Sequence, residues 1–203
     1  MIWLPFLIDI FMIKTENFEQ VKVESSLELR EWLLNNYAQT ESVWLVTYKK
    51  EVPEKYVSVQ EVLDQLLCFG WIDGIRRKLD DQRTMQLISP RKAEHWAKTY
   101  KDRYAKLKEA GLVHQSGINS VIASKQTGLW DFMADVDALI VPTDLQIALH
   151  ENAAAKSFFD ILSPSNKRFV LRYLKLSKSE VTRQKRIIQI VTLSAQGKKV
   201  PGL

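Results

Sequence analysis

The chain has 203 residues, 46% of them hydrophobic and 26% charged, with a net charge of +5. These proportions are ordinary for a soluble globular protein, and the length suits one good core or two small units sharing one. A single cysteine, Cys68, excludes an internal disulfide and fits a reducing compartment such as the cytoplasm.

The apolar opening "MIWLPFLIDIFMI" lacks a basic flank and a small-residue cleavage site. Pro5 and Asp9 interrupt it, and it is too short to span a bilayer, so no integral membrane span is expected. Residues 1–13 read either as an extension upstream of a true start at Met12 or as a hydrophobic arm that packs on the body or on a partner.

"FEQVKVES" alternates weakly and predicts a short strand. Ser25-Ser26-Leu27-Glu28 has the capping-box pattern, and Leu29, Trp32, Leu33 and Tyr37 follow at helical spacing. "SVWLVTYKK" is β-branched and aromatic and reads as a strand. Ser58-Val59-Gln60-Glu61 repeats the capping box, with Val59, Val62, Leu63, Leu66 and Leu67 expected in the buried stripe and Gly70 as terminator. Strands are expected over Trp71–Leu79 and Arg83–Ser89, turning through Asp80, Asp81 and Gln82, with Pro90 ending the second.

Beyond Pro90 the pattern is helical. Helices are expected over Ala93–Ala110 and Ser116–Thr127, after a cap box at Thr143-Asp144-Leu145-Gln146, over Ala153–Leu162, and from Ser163-Pro164. The last runs from about Ser179 to Gln196, with Val181, Ile188, Val191 and Ala195 expected on its inner face. The fold class is α+β: a small antiparallel sheet with helices in the N-terminal half, then a helical C-terminal half. Residues 14–115 form the sheet-containing region and 116–203 the helical region packed on it, with no flexible linker between them.

"CFGWIDGIRRKLDDQRTMQLISPRK" closely resembles the signature of the YdeI/OmpD-associated protein family. Further blocks resemble that family in order: "VWLVTYKK", "SVQEVLDQLLC", "RYAKLKEAGLVHQSGINSV", "VPTDLQIAL", "AAAKSFFDILSPSNKRFVLRYL" and "VTRQKRIIQIV". The resemblance runs from about Leu27 to Gly197. It implies a role in protection against bacteriocins and antimicrobial peptides, within a bacterial stress response, and it brings no established catalytic set. Matching motif positions are Trp71, Ile72, Asp73, Gly74, Arg83, Pro90, Arg91, Trp96, Gly117, Arg183 and Arg186. "KAEHW" departs from the pattern, placing His95 where family members carry small hydroxyls.

Asp73 shares its strand face with Trp71 and Ile75, where a carboxylate costs free energy unless paired. It is either the corner of a bulge bonded to local groups or a carboxylate lining a pocket with Arg91 opposite and Trp71 and Trp96 as walls. Arg91 follows the strand-ending Pro90, where a guanidinium suits a phosphate or carboxylate, or else an ion pair with Asp73 or Glu94. Trp96 faces the same way as Tyr100, as a core residue would. The candidate ligand-binding set is therefore Trp71, Asp73, Arg83, Arg91 and Trp96, for a small anionic ligand or a protein partner. An enzymatic alternative uses Asp73 as acid/base and Arg91 to hold an anionic substrate.

The three His, at 95, 114 and 150, do not pair at ligand spacing, and no phosphate loop, dinucleotide fingerprint or nucleophile elbow is present. No metal or cofactor is expected. "HQSG" at His114–Gly117 could pair a base with a hydroxyl, but a helix cap at Ser116 is simpler. Residues 163–203 carry ten Lys and Arg against one acid. Arg183, Lys185 and Arg186 there form either a solvated face or an anion-binding, nucleic-acid-binding alternative, without any motif that reads bases.

Overall fold

In the computed structural model of the chain, residues 18–92 and 96–200 are described. The apolar opening and His95 lie outside them. Backbone contacts group the chain into two units. Among the described residues the first contains 18–92 together with Lys106–Ser120, and the second contains 96–105 and 121–200.

The first unit is organised by two capped helices on a small sheet. Helix α1 (Ser26–Asn36) is capped by Ser25, whose hydroxyl accepts the Glu28 amide at 3.1 Å. Glu28 reaches back one residue further than a standard box, to the Glu24 amide at 2.9 Å. Helix α2 (Val59–Phe69) carries the full reciprocal box between Ser58 and Glu61. Leu29 and Leu33 of α1 and Val62, Leu66 and Leu67 of α2 are buried, giving each helix an apolar stripe toward the core.

The sheet contains β1 (Gln20–Lys22), β2 (Val43–Tyr48), β3 (Trp71–Lys78) and β4 (Arg83–Pro90), in the order β1-β2-β4-β3. Three strands are antiparallel neighbours as expected, but β1 lies parallel to β2, so the sheet is mixed. The reason is connection length: α1 separates β1 from β2, and a helical crossover permits parallel pairing where a tight hairpin does not.

In the second unit, α5 (Ala134–Asp137), α6 (Thr143–His150), α7 (Ala153–Ile161), α8 (Pro164–Lys175) and α9 (Glu180–Ala195) enclose a core of Leu145, Leu149, Phe159, Leu171, Leu174, Ile187 and Ile190. Asn152, Ser163 and Ser179 cap α7, α8 and α9 through their side chains. Thr143 is not a cap; it is the first residue of α6, after Pro142, and Asp144 bonds its own neighbour's amide instead. The buried face of α9 is Ile187, Ile190 and Ser194, whereas Val181 and Ile188 are 66% and 65% exposed. The expected inner face is therefore rotated from the real one. Helices α3 (Lys98–Glu109) and α4 (Gln115–Gln126) each pass from one unit into the other.

Candidate functional site

The β3–β4 hairpin separates the residues expected to meet. At its open end Trp71 pairs with Pro90, and at its turn end Lys78 pairs with Thr84. Seven residue steps along β4 separate Arg83 from Pro90, roughly 23 Å at strand rise. Arg83 is committed at the turn. Its Nε donates to Asp80 Oδ2 at 2.7 Å, while Asp80 Oδ1 accepts the Gln82 and Arg83 amides. The Arg83 guanidinium holds the Asp80 carboxyl below its ordinary range.

At the open end the last carbonyls of α2 are taken one by one. Cys68 O accepts the His114 amide, Phe69 O accepts the Ser116 hydroxyl, and Gly70 O accepts the Arg91 amide, each at 2.9 Å. Gly70 ends the helix with φ of +73°, the left-handed conformation that glycine supplies. Trp71 is buried edge-on against Trp32, with ring centroids 5.5 Å apart. Its indole Nε1 is buried without a hydrogen-bond partner among the described residues. Arg91 is half-buried, its Nε and Nη1 shielded from solvent. His114 stacks on Phe69 at 5.0 Å, and its Nδ1 lies 2.9 Å from Ser116 Oγ and accepts the Ser116 amide at 3.2 Å. His114, rather than the expected Ser116, thus accepts an amide of the first turn of α4, while Ser116 lies inside the helix and ties it to α2. Burial pushes the neighbouring Cys68 thiol up, so it stays protonated near neutral pH.

Asp73 stands at a bulge. Register slips between Asp73 and Arg76 opposite Gln86 and Ile88, so Gly74 and Ile75 face one partner residue. Beneath the bulge lies Gln86, a buried polar side chain that the sequence pattern did not single out. Its Oε1 accepts Arg76 Nη2 at 2.6 Å; its Nε2 donates to Asp73 Oδ2 and to Gly74 O, both at 3.5 Å. The bulge thus carries its own polar network. The signal for it was a glutamine two positions before the buried Ile88 on the same strand face.

Trp96 belongs to the second unit, where it is fully buried. Its Nε1 donates to the buried Ser124 hydroxyl at 2.7 Å, and Trp130 and Tyr104 pack on it at 5.1 and 6.1 Å. A cleft of about 510 Å³ also lies in this unit. Met133, Val136 and Phe169 line it with apolar surface; Lys98, Asp102, Asp137, Arg168 and Arg172 line it with charge. No local motif announced this cleft, because its walls come from α3, α5 and α8.

The basic α9 is largely engaged within the protein. Arg183 grips Asp144 with both ends of its fork, Nε to Oδ2 at 2.6 Å and Nη2 to Oδ1 at 2.9 Å. Arg186 donates to the Tyr173 carbonyl and lies over the Tyr173 ring, 4.2 Å from its centroid. Lys185 is exposed. Two of the three cations in the nucleic-acid alternative thus hold α9 to α6 and α8. Among the described residues no group of three or more His, Cys, Asp or Glu could hold a metal ion, and no helix is long and apolar enough to cross a membrane.

A family model described as bacteriocin-protection, YdeI or OmpD-associated matches residues 138–197. This helical segment, less than half of the chain, is thus similar to the YdeI/OmpD-associated family. A separate model, described as a domain of unknown function (DUF8412), matches residues 21–120. No curated protein and no solved structure matches the chain. The YdeI/OmpD-associated match is shorter than the resemblance from Leu27 to Gly197, and the "CFGWIDG" stretch falls within the DUF8412 match instead. Within the YdeI/OmpD-associated segment lie Asp144, Tyr173, Arg183 and Arg186, so both fastenings of α9 are internal to it.

Proposed function

We propose that this protein takes part in protection against bacteriocins or antimicrobial peptides, acting in the cytoplasm by binding a small ligand or a protein partner. The observation that carries the reading is the YdeI/OmpD-associated segment at residues 138–197, whose family description names bacteriocin protection. The cleft in the unit that contains this segment supports a binding role, since ligand sites combine apolar walls with a few placed polar groups. The lone, buried Cys68 supports a reducing compartment. The test is a deletion strain challenged with a panel of bacteriocins and cationic antimicrobial peptides. Increased killing, restored by the wild-type gene, is expected. Killing curves that coincide with the parent across the whole panel would sink the reading.

A further inference from the structure

We propose that a recess beside the end of β2 binds a small organic phosphomonoester, its phosphate on Arg76, Lys49 and Lys50 and its organic body against Tyr48, Tyr56 and Val57. The recess lies in the first unit, within the DUF8412 match, and the inference goes beyond the protective role proposed above.

The charge of the lining sets the sign of the ligand. Lys49, Lys50 and Arg76 face the recess against one carboxylate, Glu51. The neighbouring cations are each matched by an acid: Lys78 by Asp81, Arg83 by Asp80 and Lys55 by Glu24. The three lining cations form no ion pair among the described residues. Lys49 Nζ donates to the Asp80 and Asp81 carbonyls, both at 2.8 Å, which place the ammonium without neutralising it. Arg76 Nη2 donates to the buried Gln86 side chain at 2.6 Å, so the sheet holds the guanidinium while its other donors remain for a ligand. Asp73, which also touches Gln86, lies outside the lining. Three cations against one acid leave two positive charges. A phosphomonoester, at about −1.5 to −2 near neutral pH, matches both, whereas a carboxylate matches one. Arginine and lysine also give phosphate oxygens charge-assisted hydrogen bonds.

The size and the rings limit the rest of the molecule. The volume, about 260 Å³, is a little under the usual range for drug-sized ligands, which suits a phosphate bearing one ring or a short chain. Tyr48 and Tyr56 are half-buried and Val57 is buried, so they supply an apolar wall. The Tyr48 hydroxyl donates to Glu24 at 3.4 Å, which holds its ring in place. Inorganic phosphate leaves this wall wet, whereas an ester covers it and gains apolar burial.

The test uses the full chain and isothermal titration with phenyl phosphate, benzoate, benzyl alcohol and inorganic phosphate. Phenyl phosphate should bind at least about tenfold more tightly than benzoate or benzyl alcohol, and about threefold more tightly than inorganic phosphate. Arg76→Gln should weaken phenyl phosphate by roughly tenfold, the scale of one lost charge-assisted contact. Lys50→Gln should weaken it by roughly threefold or more. Lys50 is exposed and its side chain bonds to no described residue, so this variant keeps the wild-type melting temperature and tests the site even if Arg76→Gln fails to fold. Lys78→Gln is the control. Lys78 is two residues from Arg76, is paired with Asp81 and does not line the recess, so its loss should change affinity by less than about twofold. No binding of phenyl phosphate at millimolar concentration overturns the proposal, as does benzoate, benzyl alcohol or inorganic phosphate binding as tightly. Wild-type affinity in Lys50→Gln overturns it too. An equal loss in Lys78→Gln does the same, since the charge would then act as a diffuse basic surface. Binding of a single-stranded oligonucleotide without binding of phenyl phosphate also overturns it, in favour of a nucleic-acid surface. None of these outcomes bears on the killing of the deletion strain, so the protective role and the recess stand or fall separately.

Discussion

Replacing Gly117 by alanine perturbs a close approach of backbone to backbone in the first unit. A Cβ at Gly117 would lie 2.3 Å from the Cys68 carbonyl oxygen and 3.0 Å from that of Leu67. Both atoms are main chain in the last turn of α2, so no rotamer change relieves the clash. The helices must part by roughly 1 Å to reach ordinary contact. That parting stretches the bonds that join them: His114 N to Cys68 O and Ser116 Oγ to Phe69 O, both 2.9 Å. Overpacking costs about 1–3 kcal/mol, and each weakened bond costs up to about 1 kcal/mol. Alanine returns about 1 kcal/mol of helix propensity. The net loss is about 2–3 kcal/mol, which for a chain of this size lowers the melting temperature by roughly 5–10 °C. Urea denaturation followed by tryptophan fluorescence and circular dichroism measures it. Gly111→Ala is the internal control. Its φ is +69° but nothing lies within 4 Å of its added Cβ, so only the left-handed penalty of about 1–2 kcal/mol applies. If Gly117→Ala matches the wild type, or is more stable than Gly111→Ala, then the two helices are not closely joined and the account of this contact is wrong.

Asp144→Asn should flatten the acid side of the stability profile. The Arg183 guanidinium holds the Asp144 carboxyl below its ordinary range, so its contribution is present above about pH 4 and is lost as pH falls through the lowered value; after screening it amounts to about 1 kcal/mol. Melting temperatures from pH 6 to pH 2.5 check this, and parallel profiles for mutant and wild type would refute it. Trp96→Phe should destabilise more than Trp71→Phe by about 1–2 kcal/mol in denaturant titrations. The first strands the buried Ser124 hydroxyl, while the second removes an indole N–H that has no partner among the described residues; equal losses would count against this. Asp73→Asn should complement the deletion strain, while Gln86→Leu should cost about 1 kcal/mol by removing the bonds that Gln86 makes to the exposed Arg76 and to the bulge. Loss of complementation by a folded Asp73→Asn would return that carboxylate to the functional site.

Local chemistry made much of the fold legible. Ser58 and Glu61 form the full box that their spacing announces, Gly70 ends α2, and Asp73-Gly74 marks the bulge. Each depends on residues within a few positions of one another. The errors lie where distant residues decide. The run "RIIQIV" offers two overlapping apolar stripes on α9, and periodicity alone does not choose between them. Arg183 on Asp144 and Arg186 on Tyr173 fix the rotation that buries Ile187 and Ile190 and exposes Ile188. The parallel placement of β1 is likewise a pairing decision, set by the α1 crossover. Of the candidate ligand set, Arg83 is far along the hairpin from Trp71 and Arg91, and Trp96 belongs to another unit. Strand rise alone separates Arg83 from Trp71.

The most recognisable stretch of the chain owes its pattern to packing. In "CFGWIDG" the carbonyls of Cys68, Phe69 and Gly70 each take a donor from another segment, Gly70 needs a positive φ, and Asp73-Gly74 carries the bulge over Gln86. Close backbone contact has few sequence solutions, since a Cβ at Gly70 would meet Ser120 Cβ at 2.9 Å and the Ser116 carbonyl at 3.0 Å. Such positions print sharp motifs. A cleft whose lining comes from several helices has no contiguous stretch of sequence to mark it. It therefore leaves a diffuse trace spread over α3, α5 and α8. In "CFGWIDG" the glycines and carbonyls are placed by how closely two segments of backbone meet.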